Sequence, residues 1–196
     1  YTLITASLAM PLGTDRDIGA QVAYDHSFSK KFGLQLSAGL FNGSGINVSD
    51  SNSAKNSVVR AQMKIGSTLT LGANNYSGKS NKAVNPGNVD TWGSFANWTW
   101  KSEEVEAEYI NTKVSGVKKA GWYVWGGHML KTNWKFVPEV QLVARYEEYD
   151  ANTAVVDNKV NRTTIGTTFY IDKKYTLIQL NYQFNGEEGT NVKNNE

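Results

Sequence analysis

Residues alternate between apolar and polar along most of this chain, and that habit restricts what it can fold into. In Tyr175–Phe184 (YTLIQLNYQF), Ile178, Leu180, Tyr182 and Phe184 share one phase, while Gln179, Asn181 and Gln183 share the other. A strict period of two is an extended strand with one apolar and one polar face. The same phase split recurs upstream. Ile18, Ala20, Val22 and Tyr24 alternate with Gly19, Gln21 and Ala23, and Leu34, Leu36, Ala38 and Leu40 with Gln35, Ser37 and Gly39. Val59, Ala61, Met63 and Ile65 alternate with Arg60, Gln62 and Lys64. Val105, Ala107 and Tyr109 alternate with Glu104, Glu106 and Glu108, and Val140, Leu142, Ala144 and Tyr146 with Gln141, Val143 and Arg145. Thr2–Met10 carries a weak version of the pattern, and no helical period of useful length occurs anywhere. The chain is therefore all-β.

Averages conceal this pattern. Mean hydropathy is −0.45, and no run approaches the ~20 apolar residues of a membrane-spanning helix. In a membrane β-barrel, lipid-facing and lumen-facing residues cancel in any window, so neither observation argues against one. The 196 residues suit a single domain, read as one transmembrane β-barrel domain over residues 1–196. The absence of Cys excludes disulfide frameworks, thiolate metal sites and cysteine nucleophiles. A formal charge of +2 gives no reason to expect nucleic acid as a partner. Tyr1 opens within a patterned segment without Met, so the chain reads as a fragment whose N-terminal strands and closing C-terminal strand are absent.

Two further regularities point from strands to a barrel in a membrane. Long polar loops such as NGSGINVSDSNSAKN and SGKSNKAVNPGNVD alternate with short links such as Gly66-Ser67 and Lys101-Ser102. Outer-membrane barrels have short periplasmic turns and longer extracellular loops. Aromatic residues collect near strand ends. Tyr76, Trp92, Tyr109, Trp122, Tyr146, Tyr149, Tyr182 and Phe184 fall at one end, and Phe28, Phe32, Trp98, Trp100, Trp134, Phe136, Phe169 and Tyr175 at the other. Amphipathic rings settle at the two membrane–water interfaces, so two belts are expected. The competing architecture is a soluble barrel or sandwich whose rings fill a core; the charge on the polar phase disfavours it.

Several segments together resemble the phosphate-selective porins O and P. They are RDIGAQV (Arg16–Val22), LQLSAGLFNGSGIN (Leu34–Asn47), LTLGANNYSGKS (Leu69–Ser80), EAEYI (Glu106–Ile110), GWYVWGGHML (Gly121–Leu130), PEVQLVARYEEYD (Pro138–Asp150), RTTIGTTFYI (Arg162–Ile171) and QLNYQF (Gln179–Phe184). The resemblance spans roughly residues 16–184. It implies an antiparallel transmembrane β-barrel of porin type, with about sixteen strands when complete. About eleven of these are visible in this chain. It also implies a trimer in the outer membrane and makes PLGTDRD the third outer loop, which in the family helps to constrict the pore.

The polar phase assigns Arg60, Lys64, Lys101, Glu104, Glu106, Glu108, Arg145, Arg162, Gln179 and Asn181 to the pore lining. The interface aromatics are Trp92, Trp98, Trp100, Tyr109, Trp122, Trp134, Tyr182 and Phe184. Arg60, Lys64, Arg145 and Arg162 form a candidate basic patch opposite the acidic stripe Glu104–Glu106–Glu108. Their plain alternative is a set of solvated wall residues in mutual ion pairs. The expected function is passive diffusion of small hydrophilic solutes, with anions such as phosphate implied by the resemblance. The other reading is a porin-like barrel serving as a structural subunit of a larger envelope assembly. Expected partners are outer-membrane lipid, a homotrimer or larger envelope complex, and the small solute or anion. No enzyme activity, cofactor or metal is expected: His26 and His128, the only histidines, follow the apolar phase without a second ligand at metal spacing. The short Asp172-Lys173-Lys174 link makes Tyr175–Phe184 an outward-running, penultimate strand, which requires Phe184 and the Trp98/Trp100 pair at opposite rims.

Overall fold

A computed structural model describes residues 17–45, 49, 53–80, 87–172 and 176–189. Ten strands run in chain order: β1 (Gly19–Ser29), β2 (Phe32–Phe41), β3 (Asn56–Ile65), β4 (Leu69–Ser80), β5 (Gly87–Trp100), β6 (Glu103–Val114), β7 (Val117–Lys131), β8 (Glu139–Asp150), β9 (Lys159–Asp172) and β10 (Thr176–Glu187). Each pairs antiparallel with its neighbours in sequence, giving one sheet ordered β1 to β10. No helix occurs among the described residues. The sheet is open, with no β1–β10 pairing among the described strands. Strands of 10 to 15 residues exceed the ~9–11 that a tilted strand needs to cross a bilayer. The Thr2–Met10 segment, most of PLGTDRD, and Tyr175 lie outside the described residues.

The register converts the alternation into two continuous faces. Leu69 lies opposite Trp98, Trp98 opposite Val105, Val105 opposite Gly126, Gly126 opposite Ala144, Ala144 opposite Ile165 and Ile165 opposite Tyr182. Cross-strand partners share a face, so this row is apolar across seven strands. One row over on the opposite face run Thr70, Asn97, Glu106, Trp125, Arg145, Thr164 and Gln183. A one-residue slip anywhere would exchange the faces of every later strand, so the two environments hold the register.

Burial is inverted relative to a water-soluble domain. Among the described residues, three hydrophobic side chains are buried (Ile110, Val140 and Val143) against nine polar or charged ones, while Val22, Leu40, Val59, Leu142, Ile178 and Leu180 are exposed. An apolar surface of this extent is stable only against lipid or another apolar surface. The rings on it form clusters at both strand ends: Trp92–Tyr109 at 5.1 Å, Trp122–Tyr146 at 5.4 Å and Tyr182–Phe184 at 4.7 Å at one; Trp98–Trp100 at 6.3 Å and Phe28–Phe32 at 5.4 Å at the other. Trp98 and Trp100 end β5 on the edge where β10 begins, and Phe184 stands eight residues up β10, ~26 Å away along the strand. The two groups therefore occupy opposite rims.

Three expectations need correction. Tyr76 and Tyr149 do not belong to the outer belt. Tyr76 is in phase with Gly72 and Asn74, and its hydroxyl accepts a hydrogen bond from Asn56 Nδ2; Tyr149 is in phase with Glu147 and packs on Ile110. Position near a strand end put them in the belt, but strand phase decides the face. The loop alternation also fails once: Val114 and Val117 pair directly across a two-residue turn, with Ser115 at φ 50° and Gly116 at φ 89°. Two consecutive positive φ values are a type I′ hairpin turn, which matches strand twist and favours Gly at its second position. On the opposite edge the β7–β8 connection runs over residues 132–138 and is held by the Thr132 amide donating to Pro138 O at 2.9 Å. Finally, β4 and β5 extend to Ser80 and from Gly87, so much of SGKSNKAVNPGNVD is strand.

Apolar and polar faces differ in what substitution costs. Val124→Arg, at the middle of β7 on the apolar face, should destabilise the lipid-embedded fold by ~2–4 kcal/mol. Gln62→Arg on the polar face should change stability by less than ~1 kcal/mol. Denaturant unfolding from lipid vesicles, followed by tryptophan fluorescence, measures both.

Candidate functional site

The polar face is the candidate site, and its chemistry changes from strand to strand. On β3, Arg60 and Lys64 are exposed. The Arg60 guanidinium lies 4.7 Å from the Phe95 ring centroid on β5 and donates from Nη2 to Gln62 Oε1 at 3.1 Å. Guanidinium over an aromatic face is a cation–π contact that fixes the direction of the side chain. Gly72 makes room for it. Gly72 pairs with Phe95 across the β4–β5 ladder, and a Cβ at position 72 would run into that ring.

On β6, Glu104, Glu106 and Glu108 are half-buried in one line. Asn97 Nδ2 donates to Glu104 Oε1 at 3.3 Å and to Glu106 Oε2 at 3.5 Å, and the Tyr123 hydroxyl of β7 donates to Glu106 Oε1 at 2.6 Å. These donors are neutral. They orient the carboxylates without cancelling their charge, so the stripe remains an acidic pole. Tyr123 and Trp125 then separate it from β8 along two adjacent hydrogen-bonded rows.

On β8 and β9 the wall is dense. Glu147 is fully buried, and its Oε1 accepts from Arg145 Nη2 at 2.8 Å and Arg162 Nε at 2.9 Å. Arg145 and Thr164 are buried next to it, and Gln141 and Thr168 form a second buried pair six residues further down β8. Two guanidiniums and one carboxylate at these distances, inside a low-dielectric crowd, hold β8 and β9 in register by charge as well as by backbone pairing. Further along, the Tyr170 hydroxyl donates to Gln141 Oε1 at 3.0 Å, and Gln179 Nε2 donates to Thr168 Oγ1 at 3.3 Å.

The ten pore-lining candidates fall in different places. Arg60, Lys64, Glu104, Glu106, Glu108, Arg145, Arg162, Gln179 and Asn181 share the polar face by register. Lys101 does not: it occupies the β5–β6 turn at φ 55°, with Nζ 4.3 Å from the Trp100 ring centroid. The four cations do not gather into one patch, because β3 and β8 stand five positions apart in the sheet order. Arg145 and Arg162 do meet, at Glu147. The interface candidates Trp92, Trp98, Trp100, Tyr109, Trp122, Tyr182 and Phe184 share the apolar face, whereas Trp134 lies exposed in the 132–138 connection. His26 sits between Tyr24 and Phe28 on that same face, and His128 Nδ1 meets Glu103 Oε1 at 2.5 Å near the β5–β6 turn. Phe95, Tyr123, Trp125 and Glu147 were missed as wall residues. Their phase relative to Asn97, Gly127 and Arg145 marks them, but aromatic rings and a lone Glu read as belt or loop without the register.

An antiparallel sheet with an apolar ring-bordered outer face and a charged inner one defines a transmembrane β-barrel of porin type. The sequence profile of the phosphate-selective porin O and P family matches residues 15–196, and the chain belongs to that family. No curated protein and no solved structure matches it.

Glu147 is the keystone of the β8–β9 wall. Glu147→Gln should lower stability by ~3–5 kcal/mol, since it removes the charge shared by two buried guanidiniums. Lys64→Gln, on the exposed part of the same face, should stay within ~0.5 kcal/mol. The shift in midpoint of heat-modified gel mobility distinguishes the two.

Proposed function

We propose that this chain forms the wall of a water-filled channel in the bacterial outer membrane, through which small hydrophilic solutes diffuse passively. The observation that carries the reading is the pairing of an apolar outer face with an inner face bearing Arg60, Lys64, Glu104, Glu106 and Glu108. Charge of this density is stable on a barrel wall only where water reaches it. Membership of the porin family supports the channel and the membrane. Lipid is then the partner of the apolar face, and a homotrimer is the assembly consistent with the family resemblance.

Anions are the finer part of the proposal. Arg60 and Lys64 supply an exposed cationic flank, and Arg145 and Arg162 a second one deeper in the wall. Phosphate, which the family is named for, would linger at the exposed flank by charge-assisted hydrogen bonds, with the second, drawn onto Glu147, adding only to the potential. Planar-bilayer recording of the full-length protein tests both parts. Discrete open-channel steps in potassium chloride are expected, and added phosphate should reduce the chloride current. An absence of steps refutes the channel; steps without a phosphate effect refute only the anion site.

A further inference from the structure

The polar wall segregates its charges instead of laddering one sign. β6 presents three carboxylates and no cation on this face, and β3 presents Arg60 and Lys64 and no carboxylate. Between them the floor is neutral and low, made by Thr70, Gly72, Asn97 and Phe95. Lys64, Thr70, Asn97 and Glu106 occupy one row across four strands, and Gln62, Gly72, Phe95 and Glu108 the next. Three strand spacings set the β3 and β6 backbones roughly 14 Å apart. Arg60 reaches in from β3 to lie 4.7 Å from the Phe95 ring centroid on β5, so the cationic pole extends over the floor of this shallow trough towards β6.

Opposite poles so placed create a field across the channel and not along it. A simple anion is drawn to Arg60 and Lys64 and repelled by Glu104 and Glu106, so it is held on one side only. A solute carrying both signs gains at each. Resting on the channel reading above, we propose that this trough selects zwitterionic solutes of dipeptide length. The ammonium group meets Glu104 and Glu106, the carboxylate meets Arg60 and Lys64, and the midsection lies over Thr70 and Asn97, in the row that joins Lys64 to Glu106. Asn97 and Tyr123 hold the acidic pole in place through neutral hydrogen bonds, so its charge stays available to the solute.

Liposome swelling with the full-length protein tests this, with diglycine as the zwitterion and an uncharged polyol of matching size as the reference. Diglycine should enter about threefold faster than the polyol or more, as expected where a field concentrates a solute. About 1 M salt should abolish the advantage by screening. The Glu104→Gln/Glu106→Gln pair and the Arg60→Gln/Lys64→Gln pair should each bring the diglycine-to-polyol ratio close to one. The two pairs should shift small-ion selectivity in opposite directions, towards anions for the first and towards cations for the second. A wild-type ratio near one overturns the inference, as does an advantage that survives both high salt and removal of the acidic pole. Swelling by the polyol shows that the channel itself is open, so failure of the trough is distinguishable from failure of the channel.

Discussion

Backbone hydrogen bonding is the constraint on which everything else in this structure depends. Within a bilayer no water is available to an unpaired N–H or C=O, and strands satisfy these groups only by pairing with neighbours. The meander from β1 to β10 does this by pairing each strand with its neighbours in sequence. Once pairing is obligatory, the pleat assigns alternate side chains to lipid and to water, and the sequence must alternate to match. The apolar face, the polar wall and the aromatic belts are all consequences of that one ladder. Buried side-chain groups reinforce it: Asn56 Nδ2 donates to Lys79 O at 2.9 Å while its Oδ1 accepts from the Lys79 amide at 2.7 Å, pinning β3 to β4 near the edge that bears the 42–55 connection.

Electrostatics on the wall follows from strand position more than from composition. A small formal charge of +2 hides an acidic strand set between cationic ones. The two cationic flanks differ in kind. Arg60 and Lys64 stand exposed to the channel, whereas Arg145 and Arg162 are drawn down onto the buried Glu147. The first flank is open to solvent; the second stabilises the wall and contributes to the potential behind it.

Much of this was legible in the sequence because period-two patterning survives without tertiary context. The faces of β1, β2, β3, β6, β8 and β10 were readable residue by residue, as was the placement of Phe184 and the Trp98/Trp100 pair at opposite rims. What escaped was whatever depends on register. Tyr76 and Tyr149 sit at belt height but on the wrong side of the sheet, a distinction that counting distance from a strand end does not make. Ser115-Gly116 was hidden by the polar run VSGVKKA, although Ser-Gly is itself a hairpin signal. The meeting of Arg145 and Arg162 at Glu147 needed the β8–β9 pairing, since nothing in the chain order announces that a carboxylate is met by a guanidinium fifteen residues further on. Lys101 was assigned to the lining for its charge although it stands in the Lys101-Ser102 link, where its positive φ belongs to the turn and not to the wall.

Gly72 has a consequence of its own. Because it lacks a side chain, the Phe95 ring lies across β4, and Arg60 rests on that ring. The position of the Arg60 charge on the polar face is thus set by a residue that carries no charge of its own. Enlarging position 72 would displace the ring and with it the guanidinium, without altering any ionisable group directly. Where this face holds its charge is therefore adjustable from a neutral position, and related sheets can diverge in charge placement while keeping the same charged residues.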